Sequence, residues 1–317
     1  MKKYYFIVNP KAGNGKCLKK WVAIEGSLKS QSIPYEVYFS KRPGHAVELA
    51  RNVAAKVRDE NISIIAVGGD GTAHEVLNGI GSSAPFSFGF IPGGSGNDFS
   101  RGFSLPREPL AALNDLLETN CEPSDTVDGG NLSLNGNQAR LFINNMGGGF
   151  DALVSKKANE TSMKALFNRF SLGRLVYVYI LLKELFSYKP GTIELTIDGN
   201  RHIYEQTWFV TISNQPYYGG GMIISPTAMA SDGMLDITVV TRLSRLKLLL
   251  VFMSVFWGKH IYFNEVHTFQ GKKISISSTA EIDFHADGEY IGKANYGSAT
   301  VLPGAFKILS NRRTLKE

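Results

Sequence analysis

The 317-residue chain has little cysteine, and this scarcity excludes two kinds of small scaffold. Its two cysteines, Cys17 and Cys121, are too few for a disulfide framework or for a zinc module built on several thiolates. Because nothing in the sequence indicates secretion, we expect both cysteines to be reduced thiols in a cytoplasmic protein.

Long hydrophobic segments are also missing. The longest uncharged apolar run, residues 248–257, is much shorter than the roughly 18–20 residues of a membrane span. The apolar run at residues 4–8 follows two lysines, but it is shorter than the roughly 7–15-residue core of a signal peptide. We therefore expect a soluble protein that has no signal peptide.

The charge balance is modest, with 34 Lys and Arg against 28 Asp and Glu and a net charge of +6. No dense basic stripe alternates with aromatic residues, so we expect no nucleic-acid binding, although the net charge favours anionic partners. A hydrophobic content of 43% and a charged content of 20% exclude disordered, collagenous and coiled-coil chains. The length suggests about two domains.

The first 125 residues or so alternate strand and helix patterns. Short apolar runs bounded by turn residues predict buried strands at residues 4–8, 35–39, 62–67 and 86–91. Helical spacing between these runs predicts an α/β domain with a mostly parallel sheet. In such sheets ligands bind beyond the carboxyl ends of the strands.

The pattern changes near residue 127 to strands separated by Asn-Gly and Asp-Gly turns, which predicts an antiparallel, β-rich second domain. The predicted strands are residues 132–134, 139–144, 192–198, 203–213, 235–241, 274–278 and 282–286. Helical candidates at residues 163–188 and 244–257 interrupt them. We expect the first domain to cover residues 1–127, with residues 304–317 returning to it, and the second to cover residues 128–303.

The loop that follows the third predicted strand, GGDGT at residues 68–72, carries the sharpest chemical signal. Its glycines allow the backbone to approach a phosphate closely, with N–H groups free to donate. A helix predicted to begin there adds a dipole that favours an anion. An acid in such a loop makes sense if Mg²⁺ lies between the acid and the phosphate.

Two further glycine-rich loops follow the first and fourth predicted strands, NPKAGNGK at residues 9–16 and PGGSGND at residues 92–98. Neither is a P-loop, because the GxxxxGK[ST] pattern is absent. Since the strand ends are expected to meet at one edge, the three loops predict a polar rim suited to Mg²⁺ and a polyphosphate. Its charged members are Lys11, Lys16, Asp70, Asp98 and Arg101.

These motifs together resemble the diacylglycerol-kinase catalytic family, which includes bacterial lipid kinases, sphingosine kinases and ceramide kinases. The second half adds VDG at residues 127–129, NNMGGGFD at residues 144–151, the stretch from SP at 225–226 to DG at 232–233, and DGE at residues 287–289. The resemblance covers nearly the whole chain in the family's order. One departure is Ser95, which stands where threonine is commoner and keeps the hydroxyl.

The resemblance implies an ATP- and Mg²⁺-dependent lipid kinase. It implies that nucleotide is held by Asn9, Pro10, Lys11, Ala12, Gly13, Lys16, Ser40, Gly68, Gly69, Asp70, Gly71, Thr72, Glu75, Ser95, Asn97 and Arg101. It implies a catalytic Mg²⁺ organised by Asp70, Asp98 and Asp128, and a structural Mg²⁺ at Asp232 with backbone carbonyls near Met229 and Met234. Asp287 resembles the base that accepts the proton of the lipid hydroxyl, although Asp-Gly is equally typical of a hairpin turn.

Several alternatives stay open at this point. Diacylglycerol, giving phosphatidic acid, is the leading substrate, beside a sphingoid base, ceramide or a polyprenol. The chain could instead be a NAD kinase, which shares the GGDGT loop, or a nucleotide-binding regulator without catalysis. A homodimer through an uncovered sheet edge is a further alternative.

Two stretches mix aromatic residues with cations, residues 163–189 and residues 246–261. Helices of this composition can lie on an anionic bilayer, which predicts transient membrane association to collect the lipid. The alternative is that both apolar faces pack on the β-rich domain. The second stretch includes Phe252, Phe256, Trp257, Lys259 and His260.

Overall fold

The computed structural model describes residues 3–56, 62–82, 85–94, 96–118, 126–137, 139–160 and 173–310. The chain forms two compact units. Unit 1 comprises Met1–Val127 and Gly304–Glu317, and unit 2 comprises Asp128–Pro303.

Unit 1 is an α/β domain whose strands pair in parallel. Its elements are β1 (Lys3–Val8), α1 (Lys16–Ser30), β2 (Tyr35–Phe39), α2 (His45–Lys56), β3 (Ile62–Gly68), α3 (Asp70–Ile80), β4 (Ser87–Pro92), α4 (Asp98–Gly102) and α5 (Pro109–Glu118). β1 lies between β2 and β3, and β4 lies beside β3, all in parallel register. Lys307 and Ile308 pair in parallel with the free side of β4. The loops that leave β1, β3 and β4 therefore start from the same edge of the sheet.

Apolar side chains explain why these segments fold as strands and helices. Every residue of β3 and β4 is buried, as expected for parallel strands covered on both faces. Trp21, Ile24 and Leu28 lie on one side of α1 and pack on the sheet. The rings of Phe6 and Trp21 lie 5.2 Å apart between their centroids. This packing fixes α1, and so the loop before it, against the sheet.

Unit 2 is rich in antiparallel β-structure. Its strands are β5 (Thr126–Leu134), β6 (Arg140–Phe142), β7 (Asn145–Gly149), β8 (Gly191–Ile197), β9 (Asn200–Ser213), β10 (Tyr217–Tyr218), β11 (Met222–Ile223), β12 (Leu235–Thr241), β13 (Val266–Gly271), β14 (Lys273–Ala286) and β15 (Glu289–Ile308), whose last residues belong to unit 1. Its helices are α6 (Phe150–Glu160), α7 (Gly173–Ser187) and α8 (Arg245–Ser254), followed by 3-10 turns at Val255–Trp257 and Lys259–Tyr262.

The long strands β9 and β14 organise the sheet of unit 2. β7 and β8 both lie between them, with β8 beside the start of each long strand and β7 beside its end. β12 pairs with the other side of β9 and then with β13, while β14 also pairs with β15. The start of β7 therefore meets the ends of β9 and β14. Residues 143–145, 213–215 and 287 lie at this place.

The helices of unit 2 pack their inner sides around Trp208 of β9. Phe150, Leu185, Leu248 and Val251 share one buried cluster with this ring. The indole N–H of Trp208 donates to the carbonyl of Leu243 at 3.0 Å, so the polar atom of this buried ring is satisfied.

The structure corrects one pair of predicted strands and describes only part of one predicted helix. The two strands predicted at residues 274–278 and 282–286 form one strand, β14, in which the register with β15 shifts between Ser277 and Ile282. The helix predicted at residues 163–188 is described only as α7, because residues 163–172 lie outside the described residues. Within the described residues, no helix is both long and apolar enough to cross a membrane.

Candidate functional site

Three glycine-rich loops of unit 1 meet at the edge where β1, β3 and β4 end. The N–H of Gly93 donates to the carbonyl of Gly68 at 2.6 Å, and the N–H of Gly94 donates to the same oxygen at 3.1 Å. The N–H of Asn9 donates to the carbonyl of Val67 at 2.9 Å. The first and third loops are thus both bonded to the strand that leads into the GGDGT loop.

The glycines are needed because the loops touch through their backbones. A Cβ on Gly94 would lie 2.6 Å from the Cα of Gly69, and a Cβ on Gly93 would lie 3.1 Å from the Cα of Gly68. Gly13 has a φ of +56°, and a Cβ there would lie 2.5 Å from the carbonyl oxygen of Gly93. A side chain at any of these positions would push two loops apart.

Polar side chains brace the first loop against the second. The amide nitrogen of Asn9 donates to the hydroxyl of Thr72 at 3.2 Å, and its amide oxygen accepts from the N–H of Lys11 at 3.1 Å. Thr72 is buried beside Gly68, where a Cβ would lie 2.3 Å from the hydroxyl oxygen of Thr72. Asn9 and Thr72 therefore hold the loops in register.

Two helices begin directly behind these loops. α1 starts at Lys16 after Pro10, Ala12 and Gly13, and the carbonyl of Ala12 accepts from the N–H of Cys17 at 3.2 Å. α3 starts at Asp70 with Gly69 as its N-cap, so the N-cap residue has no side chain that could cover the first N–H groups of the helix. Gly71 lies in the first turn of α3. Neither helix has a side-chain cap at its N-terminus. Helix N-termini favour anions, and the exposed Lys11 and Lys16 add positive charge.

The acids of unit 1 are fixed by hydrogen bonds. A carboxylate oxygen of Asp70 accepts from the N–H of Phe99 at 2.9 Å, which ties the GGDGT loop to α4. Asp98 is buried and forms an ion pair with Arg101 at 2.5 Å. Arg101 also donates to the carbonyl of Gly96 at 2.8 Å, so it closes the third loop on itself.

Asn97, Ser95 and Ser40 are three other residues predicted to bind nucleotide. Asn97 is the N-cap of α4 with a φ of 56°, and Ser95 lies outside the described residues. Ser40 is buried, and its N–H donates to Val8 at 2.9 Å, continuing the β1–β2 pairing.

Glu75 has a structural role that the sequence reasoning missed. Its two carboxylate oxygens accept from the N–H groups of Gly44 at 2.9 Å and Ala46 at 3.0 Å. These groups lie at the start of α2, where a carboxylate satisfies the helix N-terminus. Glu75 therefore holds the loop after β2 by capping α2.

Cys17 lies behind the third loop as a buried thiol. Its thiol is free, buried and directed at the carbonyl of Val67, with a sulfur-to-oxygen distance of 3.7 Å. Burial raises the pKa of the Cys17 thiol to about 11, so the thiol stays protonated at neutral pH. A Cβ on Gly93 would lie 2.5 Å from this sulfur, so Cys17 packs as a small apolar side chain. Cys121 lies outside the described residues.

Asp232 lies in an exposed loop of unit 2, and Asp128 is hydrogen-bonded to the same loop. A carboxylate oxygen of Asp128 accepts from the N–H of Gly233 at 2.7 Å, and the N–H of Asp128 donates to Ala230 at 2.7 Å. The carboxylate of Asp232 accepts from the N–H of Met234 at 2.9 Å, within the same exposed loop as Met229. Asp128 is therefore anchored to the stretch for which the resemblance implies a structural Mg²⁺.

No group of three or more His, Cys, Asp or Glu close enough to hold a metal ion occurs among the described residues. The predicted acidic group also spans both units, since Asp70 and Asp98 belong to unit 1 and Asp128 to unit 2. Its sharing of one Mg²⁺ stays a prediction.

Asp287 occupies the two-residue turn between β14 and β15. It has a φ of 49°, Gly288 has a φ of 81°, and the N–H of Asp287 donates to the carbonyl of Asn145 at 2.7 Å. Its carboxylate accepts three backbone N–H groups, from Ile143 at 3.1 Å, Asn144 at 2.8 Å and Asn145 at 3.1 Å. The residue is thus a hairpin turn residue with a carboxylate held in one place.

A buried Asp–His pair beside this turn was missed by the sequence reasoning. His285, fully buried on β14, lies 3.1 Å from a carboxylate oxygen of Asp151 on α6, and its ring stacks on Tyr218. A Cβ on Gly147 would lie 2.5 Å from the Nε2 atom of His285, so the glycine run of β7 makes room for the pair. That run, three glycines within a strand and next to Asp151, was the available signal.

Comparison with known proteins agrees with this architecture. A model described as the diacylglycerol kinase catalytic domain matches residues 3–128, and one described as the YegS C-terminal NAD kinase beta sandwich-like domain matches residues 144–310. The chain is 32% identical over 302 residues to YtlR of Bacillus subtilis strain 168, covering 95% of this chain and 97% of YtlR.

One further relative is named for an activity, and one solved structure shares the fold. The chain is 30% identical over 307 residues to the diacylglycerol kinase of Mycobacterium tuberculosis strain H37Rv, covering 96% of this chain and 94% of that protein. A crystal structure of a diacylglycerol kinase from Bacillus anthracis strain Sterne has the same fold, with a TM-score of 0.69, 23% identity, and coverage of 98% and 97%. The chain therefore belongs to the bacterial diacylglycerol-kinase-like family of lipid kinases.

Proposed function

We propose that this lipid kinase transfers the γ-phosphate of ATP, with Mg²⁺, to the hydroxyl of a lipid alcohol, with diacylglycerol as the leading substrate and phosphatidic acid as the product. The observation that carries the nucleotide part is the meeting of the three glycine-rich loops at the start of α3. The substrate part rests on the names of the relatives.

The residues of unit 1 fit a Mg²⁺-bound polyphosphate. Gly68, Gly69, Gly93 and Gly94 form a backbone cradle, and a Cβ on Gly68, Gly93 or Gly94 would collide with a neighbouring atom. The start of α3 has no side-chain cap, and a helix N-terminus of this kind favours an anion. Mg²⁺ usually binds one or two carboxylates together with phosphate oxygens and water. Asp70, fixed by its bond to Phe99, is suited to that share of the coordination.

When bound, Mg²⁺–ATP supplies the phosphoryl group and screens its charge. In the proposal, Lys11 and Lys16 neutralise charge on the polyphosphate. The hydrogen bond between Asn9 and Thr72 fixes the distance between the first and second loops. Arg101 balances Asp98 and keeps the third loop closed.

Asp287 is proposed to accept the proton of the attacking lipid hydroxyl. The support is geometric: the turn and three N–H donors hold its carboxylate in one orientation, which a general base requires. Asn144 and Asn145, which supply two of these donors, act as positioning residues. The buried pair of Asp151 and His285 joins the first turn of α6, which directly follows β7, to β14.

We also propose a cytoplasmic enzyme that meets the bilayer transiently, because its substrate is a lipid. The oligomeric state, including a homodimer, is left to measurement.

Transfer of radiolabel from ATP tests the proposal. The acceptors are diacylglycerol, ceramide, sphingosine and a polyprenol in mixed micelles with Mg²⁺, with NAD as a soluble control. Label in diacylglycerol supports the full proposal, and label in another lipid keeps the reaction but changes the substrate. Label in NAD alone identifies a NAD kinase, and ATP binding without transfer to any acceptor identifies a regulator.

A further inference from the structure

α8 and the 3-10 turn after it have an inner side and an outer side, both apolar. Leu248, Val251 and Val255 face inward and are buried. The opposite side carries Leu246, Leu250, Met253 and Trp257, which are 75%, 66%, 53% and 66% exposed. Their spacing of four, three and four residues places them along one helical stripe, which we call the outer stripe.

α7 continues this apolar surface. Tyr179, Leu182 and Phe186 are spaced by three and four residues and are 48%, 42% and 68% exposed. The two helices are joined at their ends, because the guanidinium of Arg245 donates to the carbonyls of Leu185 at 3.1 Å and Phe186 at 3.4 Å. The C-terminal end of α7, with the exposed Phe186, therefore lies beside the N-terminal end of α8.

This arrangement revises the expectation for the two helical stretches. Among the described side chains, from Tyr179 onward in α7 and throughout α8, the inner sides pack on the β-rich domain, as one alternative held, but the outer sides are exposed. His260, which the sequence placed among the surface cations, is fully buried and lies 2.9 Å from the carbonyl of Ile224. Burial lowers the pKa of His260, so it adds no charge to the surface at neutral pH.

The segment of chain that carries the outer stripe has positively charged residues but no acid. Residues 245–264 contain Arg245, Lys247 and Lys259 and no acid, and the next acid, Glu265, forms an ion pair with Lys247 at 2.5 Å. Lys259 is exposed next to Trp257. Exposed leucines with a neighbouring tryptophan and lysine are the composition that binds the interface of an anionic bilayer.

We propose that the outer stripe, together with the exposed side chains of α7, is the surface by which this kinase docks on an anionic membrane. Leu246, Leu250 and Met253 enter the acyl boundary, while the indole of Trp257 and the phenol of Tyr262, which is 80% exposed, lie at the headgroup level. Lys259 binds the lipid phosphates. This inference rests on the proposed lipid substrate but concerns binding, not transfer.

The test measures sedimentation with vesicles, without ATP, for the wild type and for a Leu250→Ser/Trp257→Ser variant. Vesicles contain equal amounts of phosphatidylglycerol and phosphatidylcholine, or phosphatidylcholine alone. Both side chains are exposed, so the variant should keep the melting temperature of the wild type. Ile203→Ser on β9 is the matched control, because Ile203 is 60% exposed in the same unit but lies outside the surface.

The wild type should bind the anionic vesicles, and more tightly in ~0.05 M than in ~0.5 M salt. Loss of each anchor should weaken binding roughly tenfold, so the double variant should lose about a hundredfold. Lys259→Glu should weaken binding to anionic vesicles roughly tenfold. Ile203→Ser should bind like the wild type.

Equal binding by the wild type and the double variant, or no binding by the wild type, would overturn the proposal. So would a wild-type dimer that the double variant converts to monomers, since the surface would then be an interface between copies. Activity on a short-chain, water-dispersed diacylglycerol separates this inference from the proposed function. The double variant should retain that activity, whereas vesicle binding without transfer to any lipid would support docking and contradict the proposed reaction.

Discussion

Replacing Asp287 by asparagine tests whether this residue does chemistry or only shapes a turn. Asparagine keeps the size of the side chain and tolerates the φ of 49°. It removes the negative charge and puts an NH₂ group where one carboxylate oxygen now accepts a backbone N–H. The variant therefore loses both the proposed base and part of the hydrogen bonding to residues 143–145.

Asp198 offers a matched control for the structural part of this loss. It also precedes a glycine in a hairpin turn, with a φ of 47°, and its N–H donates to the carbonyl of Lys273 at 2.9 Å. Its carboxylate likewise accepts three hydrogen bonds, two from the N–H of Lys272 and one from that of Lys273. Nothing in the sequence or the structure gives Asp198 a catalytic role.

The two substitutions should differ far more in activity than in stability. Each weakens charge-assisted hydrogen bonds worth about 1.5–3 kcal/mol, and the loss is smaller for the exposed Asp198 than for the partly buried Asp287. Loss of a general base typically slows a reaction by about 10²–10⁴-fold, or about 3–5 kcal/mol in activation free energy. We expect Asp287→Asn to lose this factor in kcat and Asp198→Asn to stay near the wild-type rate.

The assay is the initial rate of phosphate transfer to diacylglycerol in mixed micelles, with kcat and the KM for ATP, beside the melting temperature of each variant. The KM for ATP should be unchanged in both, because the proposed base acts on the lipid hydroxyl and not on the nucleotide. A kcat of Asp287→Asn within about threefold of the wild type would refute the role of Asp287 as the base. Equal losses of activity in the two variants would assign the effect to turn geometry.

Three other perturbations have clear expected outcomes. Gly94→Ala should weaken ATP binding at least tenfold in equilibrium titration, because the added Cβ pushes two loops apart. Gly26→Ala in α1 is the control, because a Cβ there meets nothing within 4 Å. This variant should leave ATP binding unchanged and add up to about 1 kcal/mol to the free energy of unfolding. In a Cys121→Ser background, Cys17 should react with a thiol reagent at pH 8 only on unfolding, because burial raises its pKa to about 11; rapid reaction of the native protein would contradict its burial. Burial lowers the pKa of His260 below 6.5, so the unfolded chain takes up the proton first and the free energy of unfolding should fall as the pH drops below about 6.5. The urea midpoint should fall less between pH 7.5 and pH 5.5 for His260→Gln than for the wild type. An equal fall in both proteins would show that His260 does not cause this pH dependence.

The glycine-rich loops could be predicted from the sequence because their chemistry is local. Gly68, Gly69, Gly93 and Gly94 follow short apolar runs, and parallel strands bring their carboxyl ends to one edge. The backbone bonds between the loops show that the loops do meet at this edge. Composition and spacing were sufficient here because each loop is defined by its own residues and the strand before it.

Contacts between distant residues could not be predicted in the same way. Glu75 lies 31 residues from Gly44, and no local pattern distinguishes a carboxylate that caps another helix from one that binds a nucleotide. His285 and Asp151 are separated by 134 residues. Their pairing depends on β7 and β14 lying side by side, which is a property of sheet topology and not of either segment.

Helical periodicity likewise shows which residues share a side of a helix, but not which side is covered. In α8 both sides are apolar, so the sequence could not distinguish the buried Leu248 and Val251 from the exposed Leu250 and Met253. The sheet beneath the helix decides this. The remaining apolar side is then a feature that burial in the fold does not explain.

The Asp-Gly pair at residues 287–288 shows why turn geometry and function need not be alternatives. A left-handed residue at the first position of a tight hairpin can direct its carboxylate back to the backbone of a neighbouring strand, which fixes it without further side chains. Asp198 adopts the same geometry, so the turn by itself supplies only a rigid carboxylate. What differs is the location, because Asp287 lies where β9 and β14 end and β7 begins, beside the buried pair of His285 and Asp151. If Asp287→Asn alone loses activity, location rather than turn geometry makes the carboxylate a base.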